Sequence, residues 1–289
     1  MRIAGKPVPT RHEALASRGA APLRPYAKKR TLNPKKGEGY SQTAPYAEKA
    51  GKRMIPLRDV NHSNRVPVVT YAIIACCVVA FLYELALGRE IERFFHLYGL
   101  VPIRYTEPKI AAHFSFFEQV LPFFTSMFLH GGWLHLIGNM WTLYIFGDNV
   151  ESALGRGRYF AFYVLCGLAA ALIHLVTNLD SRIPTIGASG AIAGVMGAYF
   201  VLYPHARILA LVPIFFFLQL VEVPAYVFLG FWFLIQFFSG TLSVLGGQVQ
   251  AGGIAWWAHI GGFGAGVLLL RVFKVRRTAR TIRPVRRWR

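Results

Sequence analysis

The chain of 289 residues is 54% hydrophobic, has a mean hydropathy of +0.40 and carries a formal net charge of +19. That apolar share, with runs reaching the ~20 residues that cross a bilayer, excludes an ordinary soluble domain and predicts an all-α polytopic membrane protein. The charge is uneven: residues 1–65 hold 15 Lys and Arg, residues 271–289 hold 9, and the apolar middle only 8.

Basic ends around an apolar centre favour the cytoplasmic face of a membrane protein, with anionic headgroups as the partner, over nucleic-acid binding. Residues 1–65 are polar, basic and rich in Pro, Gly and Ala. They read as a largely disordered cytoplasmic tail. Residues 14–21 are too short and interrupted for a signal-peptide core, while a basic, acid-poor organellar transit peptide stays open. Cys76, Cys77 and Cys166 fall in apolar runs without metal or redox spacing and are expected to be small buried hydrophobes.

The first span is expected at 67–87, followed by a connection at 88–132. That connection is too long for a simple turn, and amphipathic pieces lying in the interface suit it. A second span follows at 133–150, a turn at 155–158, a third span at 159–178 and a polar link at 180–182. Pro184 blocks helix continuation there. The fourth span runs from about Gly187 to Tyr203. Residues 208–221 are apolar but short, and suit a re-entrant or interfacial segment. A fifth span at 225–238, a glycine-rich loop at 240–253 and a sixth span at 256–273 complete the set. The expected architecture is a six-helix domain at 66–273 between basic tails at 1–65 and 274–289. Six crossings put both termini on one side, and the charge makes that side the cytoplasm.

With this topology, spans two, four and six all begin on the outer face. His135 and Asn139 open span two, Ser189 opens span four and His259 opens span six. Polar side chains at membrane depth are uncommon and mark functional sites. His135 and Asn139 lie four apart and share a helix face. Ser189, Ala193 and Gly197 form one small-residue face, and His259, Gly262 and Gly266 another, so the two helices can pack closely. Close packing is what a hydrogen bond between Ser189 and His259 requires. Ser189 as nucleophile, His259 as its base and Asn139, His135 and the backbone at Ser189 as oxyanion donors would make an acyl-transfer site.

No acid lies at the right depth for a triad, so a dyad is expected. Glu151 reads as a structural cap or ion-pair residue, His130 as a tie between the long loop and the site, and His174 as a satisfied packing residue. Glu222 and Gln236 receive no role. A zinc protease is disfavoured: His130 and His135 do not form the HExxH arrangement, and a His130, His135 and His259 zinc site, which spacing leaves open, would give the small-residue face around Ser189 no use. No metal and no cofactor is expected.

At these residues the chain resembles the rhomboid family of intramembrane serine proteases. Gly187-Ala188-Ser189-Gly190 is similar to that family's GxSG motif, and Ala258-His259 with Gly262 and Gly266 to its AHxxGxxxG motif. His135 to Asn139 fits the HxxxN oxyanion motif, and His130 falls where the family has a further loop histidine. The resemblance covers roughly 55–273. It implies hydrolysis of a peptide bond in or near a transmembrane helix of a membrane-protein substrate. It also implies water reaching Ser189 from the outer side and the fifth helix as a lateral gate, with Phe228, Phe231 and Trp232 as gate or packing residues. A bacterial cytoplasmic membrane is the expected location.

Two positions depart from the family. Leu121-Pro122 stands where some members carry Trp-Arg, and Ala193 where some carry an aromatic ring that stacks on the catalytic histidine. His259 must then be oriented by other packing, with Trp256 or Trp257 as candidates. A non-catalytic rhomboid-like protein that binds membrane clients is the alternative, and the complete Ser189, His259 and Asn139 set argues against it. A transporter or channel would show charged residues or broken helices near the midplane, and the sequence has no such pattern.

Overall fold

The computed structural model describes residues 55–59, 61, 65–214, 217–245, 255–273 and 275. These residues fall in one compact unit, Gly51–Arg289. The remainder of the two expected tails lies outside the described residues. The six longest helices are α1 (Val68–Ala86), α2 (Trp133–Leu154), α3 (Arg156–Thr177), α4 (Ser189–Leu202), α5 (Ala225–Leu245) and α6 (Trp256–Leu269). They match the six apolar runs, with shifted ends. α2 continues past Val150 because Gly155 alone, at φ +82°, makes the turn into α3.

Among the described residues, three helices are long and apolar enough to cross a membrane: Val68–Ala86, Arg156–Thr177 and Ala225–Leu242. A fourth is added if Phe116–Phe128 and Trp133–Leu154, bent by 78°, are counted together. α4 and α6 have 14 residues each. By length and composition, the described helices account for three or four of the six expected crossings.

The purely helical expectation needs a correction. The segment expected to be re-entrant or interfacial is not helical where described: Arg207–Ile214 (β2) and Phe217–Pro224 (β3) make an antiparallel hairpin. Alternation explains it: Ile208 and Ala210 are fully buried, while Leu209 between them and Leu211 after them are only half-buried. The tail boundary moves too. Ile55–Asp59 (β1) pairs antiparallel with β2, from Ile55 opposite Leu211 to Asp59 opposite Ile208, giving the order β1-β2-β3. Asp59 is buried and accepts hydrogen bonds from the Asn149 side chain (2.8 Å), the Asn61 N–H (2.8 Å) and the Tyr199 hydroxyl. These bonds fasten β1 to α2 and α4, so residues 55–59, grouped with the expected tail, belong to the folded unit.

The connection at 88–132 is built of short helical pieces, the longest being Ile91–Tyr98. Arg104 ties them together. Its guanidinium donates to the Leu97 and Glu118 carbonyls (3.2 and 2.7 Å) and lies 3.5 Å from the Phe114 ring centroid. Of the three cysteines, Cys77 and Cys166 are buried, but Cys76 is exposed on α1, which corrects its expected burial.

Glu151 does cap a helix, as expected, and the helix is α1. Its carboxylate accepts from the Val69 N–H (3.0 Å), the Thr70 N–H (2.8 Å) and the Thr70 hydroxyl (2.8 Å). A negative charge on the free N–H groups at a helix start is favourable, and the two bonds from Thr70 are buried. Glu151→Ala is expected to cost about 1–3 kcal/mol by stranding those donors. Thermal unfolding in detergent checks this, and an unchanged midpoint would remove Glu151 from the fold's framework.

Glycine rows set how closely α4 and α6 approach. A Cβ on Gly262 would overlap the Gly190 carbonyl oxygen, and one on Gly266 the Gly194 carbonyl oxygen. A Cβ on Gly197 would overlap the Phe263 carbonyl oxygen. The expected row of α4 does face α6: the Ser189 hydroxyl meets His259, a Cβ on Gly262 would lie 3.4 Å from the Ala193 methyl, and Gly197 packs on Phe263, with the Gly190 and Gly194 carbonyls beside them. On its other side α4 meets α3, where a Cβ on Gly190 would stand 2.6 Å from the Ala170 methyl.

Candidate active site

Ser189 is the first residue of α4, and Ile192 is the first residue seen bonding back, to the Ala188 carbonyl. The N–H groups ahead of it lack intrahelical partners, as at any helix start. No side chain caps this end. Instead, the Ser189 hydroxyl reaches across the glycine contact to α6, where Oγ lies 2.8 Å from His259 Nε2. The close approach of α4 and α6 is what permits this distance.

His259 Nδ1 lies 2.7 Å from Gln236 Oε1 on α5. An amide oxygen only accepts, so Nδ1 carries the ring hydrogen and Nε2 accepts from the Ser189 hydroxyl. A proton can leave Oγ along this line. Trp232, one helical turn before Gln236, lies over the same imidazole with ring centroids 5.9 Å apart and planes at 37°. The orienting group is thus Trp232 with Gln236, and not Trp256 or Trp257. This fills the place left by Ala193. Phe228 is buried and Phe231 is exposed.

Gly187 has φ +128°, a conformation that favours glycine. Its backbone N–H donates to the Ser126 carbonyl at 2.8 Å, which fastens the segment before α4 to the loop before α2. A Cβ at Gly187 would lie 2.6 Å from His135 Nε2 and 3.6 Å from Asn139 Nδ2. The two α2 side chains therefore converge two residues ahead of Ser189. Asn139 is buried, and its Nδ2 has no hydrogen-bond partner. An unfilled buried donor is costly and marks a place where an acceptor is received.

His130 does tie the loop to the site, through a partner the sequence did not reveal. Its backbone N–H donates to both carboxylate oxygens of Glu84 on α1, at 3.1 and 3.3 Å. Its Nδ1 lies 3.1 Å from the Phe128 carbonyl oxygen, and its ring meets the His135 ring edge-on at 5.1 Å. Glu84 is 3% exposed and is the one acid within residues 67–87, which was the available signal. His174 is satisfied, as expected: Nε2 lies 2.7 Å from Thr185 Oγ1 and Nδ1 3.3 Å from Asn178 Nδ2. Glu222, also left without a role, lies 3.7 Å from the Arg207 guanidinium across the hairpin.

Comparison with known proteins gives a family match over the same stretch of chain. The Rhomboid domain family model matches residues 118–276, which include Ser189, His259, His135 and Asn139. The chain is 30% identical over 206 residues to "Rhomboid protein 1, mitochondrial" of Saccharomyces cerevisiae, covering 69% of this chain and 51% of that protein. It is 40% identical over 72 residues to "RHOMBOID-like protein 5" of Arabidopsis thaliana, covering 25% of this chain and 23% of that one. "Presenilin-associated rhomboid-like protein A, mitochondrial" of Danio rerio is 32% identical over 99 residues, covering 33% of this chain and 26% of that one. The matches thus span half of the yeast protein and about a quarter of the other two. With a helical unit of three or four candidate membrane crossings, a family match across most of its length and the family's motifs gathered at one place, the chain belongs to the rhomboid family.

Proposed function

We propose that the chain is an intramembrane serine endopeptidase that hydrolyses peptide bonds in or near transmembrane helices of membrane proteins. The observation that carries this reading is the 2.8 Å contact between Ser189 Oγ and His259 Nε2. Ser189 attacks the scissile carbonyl while His259 takes its proton and later returns it to the leaving amine. The oxyanion is received by the Asn139 amide, by His135 and by the free N–H groups at the start of α4. Gly187, Gly190, Gly262 and Gly266 support the site by keeping the backbones close. No cofactor or metal enters these steps.

The six helices act as the six spans, with both ends of the folded unit on the basic side. α4, with 14 residues, is about 21 Å long, against about 30 Å of hydrocarbon. Ser189 then lies below the outer surface, and water descends to it. The basic tails meet anionic headgroups, and the partners cleaved are membrane proteins. The yeast and zebrafish relatives carry mitochondrial names, which do not fit the expected bacterial cytoplasmic membrane.

Asn139→Ala is expected to lower kcat by about 10²–10³-fold with little change in KM, because the amide meets charge only as it develops. Cleavage kinetics on a purified single-span substrate check this; a change confined to KM would place Asn139 in substrate binding instead. The reading as a whole is tested by co-expressing a panel of single-span membrane proteins with the chain and mapping the products. Cuts within or beside the membrane segment, absent with Ser189→Ala, are expected. Cuts that persist with Ser189→Ala would contradict it.

A further inference from the structure

Gln236 sits in an apolar stretch of α5, yet its side chain is only 7% exposed. An amide buried among apolar helices is unfavourable unless it is bonded. Its Oε1 is bonded, to His259 Nδ1 at 2.7 Å, and His259 Nε2 is in turn 2.8 Å from Ser189 Oγ. We propose that Gln236 is the positioning residue of the reaction, whose amide oxygen fixes His259 in the Nδ1–H tautomer and turns its Nε2 lone pair to Ser189. The inference rests on the proposed peptidase reading.

The proton balance shows what this does. As the Ser189 Oγ–carbon bond forms, the hydroxyl proton moves to Nε2, and the carbonyl π electrons move to the oxygen. The ring is then an imidazolium, and Nδ1–H remains bonded to the Gln236 oxygen. When the carbon–nitrogen bond breaks, the Nε2 proton leaves with the amine and the ring returns to the same tautomer. Without an acceptor at Nδ1, the ring hydrogen can sit on Nε2 instead. It would then face Ser189, and no base would be present. A neutral amide supplies the acceptor without the desolvation cost of a carboxylate among apolar helices. Trp232 and Gln236 lie four residues apart on α5, so one helix face both packs the imidazole and holds its hydrogen bond.

The test compares Gln236→Met, which keeps the length and loses the acceptor, with Gln236→Glu, which keeps an acceptor oxygen. Gln236→Met is expected to lower kcat about 100-fold with KM unchanged, because base catalysis contributes rate and not affinity. Gln236→Glu is expected to recover most of that loss. Wild-type kcat in Gln236→Met, or Gln236→Glu as slow as Gln236→Met, would overturn the inference while Ser189→Ala still abolishes cleavage. Cleavage that survives Ser189→Ala would instead sink the peptidase reading itself. Should Gln236→Met fail to fold, nitrogen NMR of ring-labelled histidine in the unaltered protein decides, with the His259 signal assigned by its loss in His259→Asn. A protonated Nδ1 and a bare Nε2 are expected, and a protonated Nε2 would overturn the proposal.

Discussion

Ser189→Ala is expected to lower peptide-bond cleavage by about 10⁶-fold, and His259→Ala by a comparable factor. The two side chains work as one unit across a 2.8 Å contact, so the double variant should be hardly slower than either single one. The slight rate that remains would come from the oxyanion donors and substrate positioning, which neither substitution removes. Ser189→Ala takes away only a hydroxyl at a helix start, so folding should survive it. Initial rates of product formation in proteoliposomes measure the effect. Losses that multiply in the double variant would mean that the residues act separately and would undo the dyad.

Gly262→Val is expected to slow cleavage by about 10²-fold without touching a reacting group. At this position a Cβ overlaps the carbonyl oxygen of Gly190, which is backbone and cannot rotate away. α4 and α6 must then separate, and a displacement of about 1 Å at a reacting centre costs about 10²-fold in rate. Gly190 directly follows Ser189, so the strain falls where the hydroxyl meets His259. A stability loss of about 1–3 kcal/mol should accompany it. Rates and thermal unfolding of Gly262→Ser and Gly262→Val, measured together, separate the two effects. Gly262→Val cleaving at the wild-type rate would show that the helix contact is looser than the structure has it.

The site was legible in the sequence where chemistry and packing left the same mark. Ser189 and His259 each open an apolar run and are followed by small residues at helical spacing, and both features survive in the structure. The facing row was legible too: Ser189, Ala193 and Gly197 all meet α6, whereas the Cβ positions of Gly190 and Gly194 point to Ala170 and Cys166 on α3, a second close contact that the small-residue run did not reveal. Gln236 was not readable either. Nothing in the spacing of α5 reveals which residue of α6 it meets, and a lone amide in an apolar run has several ordinary explanations. Glu84 was visible as an isolated acid, but its partner is a backbone N–H, which carries no sequence signal.

The fold was legible wherever length and apolar period agreed. Residues 208–221 were misjudged because a short, nearly continuous apolar run fits a strand and a buried helix alike. The hairpin resolved it through partners on both sides: β3 follows directly, and β1 comes from a segment grouped with the basic tail. Ile55–Asp59 is five residues long, and its identity as a strand comes from β2 and from the burial of Asp59 against Asn149 and Tyr199. Local sequence holds neither. The same physics explains the mixed outcome for helix length. α1, α3 and α5 are long enough to cross alone, whereas α4 and α6 are stabilised by each other through their glycine rows.

The most direct test of the central claim is fluorophosphonate labelling of the purified chain in detergent, with the modified peptide identified by mass spectrometry. The expected result is a single label on Ser189, absent from Ser189→Ala and from His259→Ala. Labelling that survives Ser189→Ala, or cleavage activity in a chain whose Ser189 never reacts, would contradict the account.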